Sequence, residues 1–183
     1  MQKKNLNMVL LLAFAMGCFV CPVWSQKGIN NLTDTLPVDP NVIMGKLDNG
    51  LTYYIRKNTK PEKRVELRLI VNAGSVLENP SQLGLAHFTE HMCFNGTTTF
   101  PGNKITDYLQ KYVITFGVDD NAYTSFDQTV YELKIPTDNK NLLDTGVLIL
   151  ADWAHNVTFD NKEIDKERGV ITEEWRMGLG ADD

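Results

Sequence analysis

The chain has 183 residues, 43% of them hydrophobic and 22% charged, and a formal net charge of −5. This is ordinary globular composition and about one domain's worth of chain. It holds neither a basic patch nor a run of Lys and Arg, which argues against nucleic acid as a partner.

Lys3 and Lys4 precede an apolar run from Met8 to Val20, and Val23-Trp24-Ser25 ahead of Gln26 supplies a small-residue cleavage site. The pattern is that of a secretory signal peptide over residues 1–25, so the mature chain is expected to begin near Gln26, to be exported to the periplasm and to keep no stable membrane span. Two alternatives stay open. Ala15-Met16-Gly17-Cys18 weakly matches a lipoprotein cleavage site, which would leave the chain lipid-anchored through Cys18. The run extended to Trp24, though short and interrupted by Pro22, could instead persist as an anchor. Cys18 and Cys21 both lie in this stretch, which leaves Cys93 alone in the mature chain and rules out an internal disulfide.

Residues 26–40 are mostly polar and contain Pro37 and Pro40, which suggests an extended leader; the folded part is expected over 41–183. Two short strands, 41–47 and 51–57, flank the hairpin turn signal Asp48-Asn49-Gly50. A third strand over 65–73 alternates, with Val65, Leu67, Leu69 and Val71 on one face against Glu66 and Arg68 on the other. A loop over 74–84 follows.

Gly84-Leu85-Ala86-His87-Phe88-Thr89-Glu90-His91-Met92-Cys93-Phe94 lacks proline and β-branched runs and reads as a helix that stops at Asn95-Gly96. At 3.6 residues per turn, His87 and His91 stand one above the other on one face, with Glu90 beside His91. Two imidazoles are thereby offered to one metal ion, with a carboxylate next to it. The spacing H-x-x-E-H inverts the zinc-protease motif H-E-x-x-H, in which the Glu acts as general base. Cys93 falls on the opposite side of the helix and is expected to pack as a small buried residue rather than to ligate.

A short helix is predicted over 104–112, then a single long strand over 122–135, rich in Tyr, Thr, Phe and Val. An amphipathic helix over 139–156 places Leu143, Val147, Leu150 and Ala154 on one stripe, read as core packing, with His155 as a surface or cap residue near its end. The last helix, 161–177, is capped by Asp160, with Glu163 three residues on. Glu167 and Glu174 are seven residues apart and so differ by only about 20° around this helix, while Glu173 lies about 100° from Glu174. Two carboxylates beside the apolar flank of Ile164, Ile171 and Trp175 are costly to bury unless a cation compensates them; a solvated acidic face is the plainer alternative.

With both helices in hand, the chain resembles the pitrilysin/insulin-degrading family of zinc peptidases, the inverzincins. Three blocks carry the likeness: the stretch from Gly84 through Asn95-Gly96-Thr97; Asn121-Ala122-Tyr123-Thr124-Ser125-Phe126-Asp127-Gln128-Thr129-Val130-Tyr131; and Glu167-Arg168-Gly169-Val170-Ile171-Thr172-Glu173-Glu174. The resemblance implies an α+β fold, a mixed and largely antiparallel sheet with helices on one face, incomplete at its C-terminus, with 41–183 forming the N-terminal part of the catalytic domain. It implies that His87, His91 and Glu174 hold one Zn2+ and that Glu90 is the general base. It also implies that Glu167 is a second functional glutamate orienting a ligand, and that Asn121 and Ala122 pair a peptide substrate's backbone against a sheet edge.

The chief departure from that family is length. Further domains of a longer chain, or a second subunit closing the chamber, are expected, and the competing reading is a truncated, non-catalytic fragment or assembly subunit. The interval between His91 and Glu174 looks longer than in well-known relatives, which is assigned to a loop around residues 113–120. S-ribosylhomocysteinase, a metal-dependent lyase that also carries H-x-x-E-H, uses a downstream Cys as third ligand; no Cys follows Cys93, so that reading is set aside.

Overall fold

A computed structural model describes residues 37–112 and 120–179. The expected signal peptide, the leader up to residue 36 and residues 113–119 of the expected long loop lie outside the described residues. The chain divides after Lys57 into two compact units. In the first, strands β1 (Val42–Lys46) and β2 (Thr52–Arg56) pair antiparallel, Val42 opposite Arg56 and Lys46 opposite Thr52. The predicted turn joins them: Gly50 takes φ +92, a value open to glycine, and the Asn49 side chain accepts from Leu51 N at 3.1 Å.

In the second unit β3 (Arg64–Val71), β4 (Asp120–Thr124) and β5 (Thr129–Pro136) form a sheet in the order β3-β5-β4, antiparallel throughout. Among the described residues four α-helices accompany it: α1 (Leu85–Phe94), α2 (Lys104–Gln110), α3 (Lys140–His155) and α4 (Asn161–Leu179). The class is α+β. Period-two alternation decides which face is covered. Val65, Leu67 and Leu69 of β3 stand opposite Ile135, Leu133 and Tyr131 of β5, and these pack into one core with Ile105 and Leu109 of α2 and Leu142, Ile149 and Trp153 of α3. On the other face Arg68 pairs with Glu66 and, at 3.2 Å, with Glu132 across the strands.

Three expectations need correction. The segment 122–135 is not one strand but the hairpin β4–β5, turned at Ser125-Phe126-Asp127-Gln128. Ser125 N donates to Gln128 O at 2.8 Å and Ser125 Oγ to Asp127 Oδ1 at 3.1 Å, a turn built from side chains that high β-propensity on both flanks conceals. Strand β3 ends at Val71 rather than at residue 73, and Val71 is exposed. Finally, the buried stripe of α3 lies one residue earlier than predicted. Leu142, Gly146, Ile149 and Trp153 are buried, whereas Val147 and Ala154 are exposed and Leu143 and Leu150 sit at the core's edge. Gly146 explains the shift. A Cβ there would stand 2.7 Å from Ile135 Cδ1 and 3.1 Å from Leu67 Cδ1, so the missing side chain lets α3 settle onto the sheet while adding nothing to an apolar pattern.

Candidate metal centre

The motif helix α1 is held at both ends. Its first N–H groups have no intrahelical acceptor, and the Glu78 carboxylate supplies one from the preceding loop, taking Gly84 N at 2.8 Å and Ala86 N at 2.7 Å. The same loop is tied to the β4–β5 turn by Ser75 N to Ser125 O and Val76 N to Phe126 O. Gly74 is needed there, since a Cβ would fall 2.3 Å from Ser125 O. Past the other end of α1, Thr97 and Thr99 are pinned to α3 by the fully buried Asp152. Its carboxylate accepts from Thr97 Oγ1 at 2.5 Å, Thr99 N at 3.1 Å, Thr99 Oγ1 at 3.1 Å and Asn156 Nδ2 at 2.9 Å. Burial alone would raise this carboxyl's pKa, but the hydrogen bonds from Thr97, Asn156 and Thr99 outweigh it and hold the pKa below its ordinary 3.8.

Against this fixed helix, α4 lays its acidic side. His87 Nε2 and His91 Nε2 lie 3.1 Å apart, and Glu174 Oε2 lies 3.6 Å from the first and 3.5 Å from the second. A tetrahedral zinc with ligands at 2.0–2.2 Å has neighbouring donors about 3.3 Å apart, so the three atoms match three corners of such a site. Among the described residues they form the group of His, Cys, Asp and Glu side chains placed to hold a metal ion. Glu173 points elsewhere and pairs with Arg176.

Glu167, buried on the same side of α4, accepts from His91 Nδ1 at 2.7 Å with Oε1 and from Asn95 Nδ2 at 2.7 Å with Oε2. An ionised carboxylate can only accept, so His91 carries its proton on Nδ1 and turns the Nε2 lone pair toward His87 and Glu174. Glu90, also buried, is not in the donor group; its Oε2 accepts from Thr124 Oγ1 at 2.5 Å. Asn121 and Ala122 stand in the same strand as Thr124, opposite Glu132 and Tyr131, and among the described residues β4 is one of the two outer strands of its sheet.

Cys93 is buried and His155 lies at the surface, as the sequence suggests for each. The buried Cys93 thiol donates to Tyr131 Oη at 3.2 Å, and burial pushes it up to about 11. His155 is exposed at the end of α3. Sequence reasoning overlooked Asn95, Thr124 and Glu78. Asn95 had a signal, being four residues past His91 on the same helical face; the other two had none, because loop and strand contacts leave no period.

Fold and donor group together define an α+β domain in which two histidines and one glutamate are placed so that they could hold a metal ion. Residues 53–178 match the family described as Insulinase (Peptidase family M16), and the chain belongs to that family. It is 42% identical over 176 residues to the "Probable zinc protease PqqL" of Haemophilus influenzae, covering 96% of this chain and 18% of that protein. To the protein so described in Escherichia coli it is 48% identical over 146 residues, covering 80% of this chain and 16% of the other. The crystal structure of the first half of the periplasmic protease PqqL from Escherichia coli superposes with a TM-score of 0.78 at 47% identity, over 81% of this chain and 32% of that one. The chain thus spans less than a fifth of the length of these curated relatives. No helix among the described residues is long and apolar enough to cross a membrane.

Proposed function

We propose that this chain carries the catalytic centre of an exported zinc endopeptidase acting on peptides or unfolded segments, with His87, His91 and Glu174 as the ligands of one zinc ion. The observation that carries the reading is the convergence of these three donors beside a buried carboxylate, Glu90, on the helix that bears two of them. Bound there, zinc supplies a Lewis acid that makes water acidic enough to attack at neutral pH. Glu90 takes the proton of the attacking water and passes it to the leaving amine. Glu167 fixes the tautomer and tilt of His91 through the 2.7 Å bond to Nδ1. The outer edge of β4 at Asn121 and Ala122 offers backbone groups with which an extended peptide can pair. Export rests on the signal pattern of residues 1–25 and on the periplasmic location of the similar protease.

A second reading is favoured by one observation, the small share of the relatives' length that the chain spans. Here the chain binds zinc but cleaves only with further domains or a partner subunit. One experiment separates the two: cleavage of an unstructured fluorogenic peptide by the chain from Gln26, with and without chelator, beside Glu90→Gln. Chelator-sensitive hydrolysis that drops about a thousandfold in the variant is expected of the first reading. Zinc binding without hydrolysis selects the second. Hydrolysis indifferent to chelator sinks both.

A further inference from the structure

The hydroxyl of Thr124 is the group that touches Glu90. Its Oγ1 lies 2.5 Å from Glu90 Oε2 and 3.4 Å from Thr129 Oγ1, its partner across the β4–β5 ladder. The direction of the protons follows from what each group can do. Thr129 Oγ1 stands 2.9 Å from Ala73 O, an acceptor, and spends its proton there. With that proton placed, the Thr124 hydroxyl donates to Glu90 Oε2. The backbone that carries this hydroxyl is held in place, since the ladder ends in the tight turn closed by Ser125 N and Gln128 O, immediately beyond Thr124 and Thr129.

From this geometry we infer that Thr124 is a positioning residue for the base: its hydroxyl occupies Oε2 of Glu90 and so commits Oε1 to the metal side of the carboxylate. The inference rests on the reading of Glu90 as the base given above. A glutamate has rotatable bonds at χ1, χ2 and χ3, and a buried carboxylate with one oxygen fixed can no longer exchange the two or turn edge-on. Thr124 also belongs to β4, the strand whose outer edge is proposed to pair the peptide. The same five-residue strand then holds both the substrate backbone and the base.

The test uses the full chain loaded with cobalt, whose visible bands report the metal's surroundings, and acetohydroxamate, which chelates the metal and hydrogen-bonds a carboxylate beside it. Metal affinity and acetohydroxamate affinity are measured for the parent, Thr124→Val, Thr124→Ser and Glu90→Gln, and for Thr124→Val combined with Glu90→Gln. Metal affinity is expected to stay within about twofold throughout. Acetohydroxamate should bind about tenfold more weakly to Thr124→Val, the order of one hydrogen bond to a charged group, and Thr124→Ser should restore it. In the Glu90→Gln background Thr124→Val should add no further loss. A Thr124→Val chain that binds like the parent, or that loses as much without Glu90 as with it, overturns the proposal. So does a parent that takes cobalt but no acetohydroxamate, which leaves the metal site standing without a carboxylate beside it. A parent that takes no cobalt overturns the metal-site reading itself, and this inference with it.

Discussion

Glu167 has both oxygens committed, one to a histidine that faces the metal position and one to an asparagine at the end of the same helix. Removing it frees His91 to rotate and to change tautomer. Glu167→Ala is therefore expected to weaken zinc binding 10- to 100-fold, measured by competition with a chromophoric chelator. Asp152 acts just past the end of α1, on Thr97 and Thr99, and there the expected effect is on stability. Replacing it by Asn turns donors toward donors in a fully buried pocket and should cost about 2–3 kcal/mol in urea unfolding at pH 7. Its folded pKa lies below 3.8, so its contribution is complete above that value and is lost as the pH falls through the lowered folded value. The parent's advantage over Asp152→Asn should accordingly shrink as unfolding is followed from pH 7 to below 3.8. An advantage independent of pH would show that the carboxylate charge is not what Thr97, Thr99 and Asn156 recognise.

At the scale of elements, the fit of α3 to the sheet depends on Gly146. Gly146→Val should destabilise by about 2–3 kcal/mol, because two methyl groups, Ile135 Cδ1 and Leu67 Cδ1, occupy the space its branches need. Val147→Ala, one residue on at an exposed position, should change stability by less than about 0.5 kcal/mol. The pair measures the one-residue rotation that the sequence concealed. What was legible there had local causes: the Asn-Gly hairpin, the heptad relation of Glu167 to Glu174, the helix start at Asp160, whose Oδ1 accepts from Lys162 N at 2.9 Å. What was not legible depends on partners distant in sequence. The approach of α3 at Gly146, the reach of Glu78 across eight residues to Ala86 N and the meeting of Thr124 with Glu90 are set by packing, which leaves no periodic trace in the residues themselves.

For the whole molecule, the proposed ligands come from α1 and α4, elements far apart in the chain, so an ion bound between them would oppose unfolding of the second unit. Free zinc at about a hundred times its dissociation constant should add about 2.7 kcal/mol, seen as a rise in Tm that a chelator reverses. Among the described residues the first unit has no such donor group of its own, and Ile43, Met44, Tyr54 and Ile55 of its hairpin are all exposed. A two-stranded hairpin is marginal by itself, so amides of β1 and β2 should exchange well before those of β5, the central strand of its sheet, when exchange is followed by mass spectrometry. Glu167 and Glu174 are spaced along a single helix, with one addressing the back of His91 and the other its front. Adding a single residue between them would swing Glu174 by about 100° and raise it by about 1.5 Å, emptying one corner of the site. A chain that keeps this donor group can respell that interval or lengthen the loops outside it, but it cannot change the number of residues between the two glutamates.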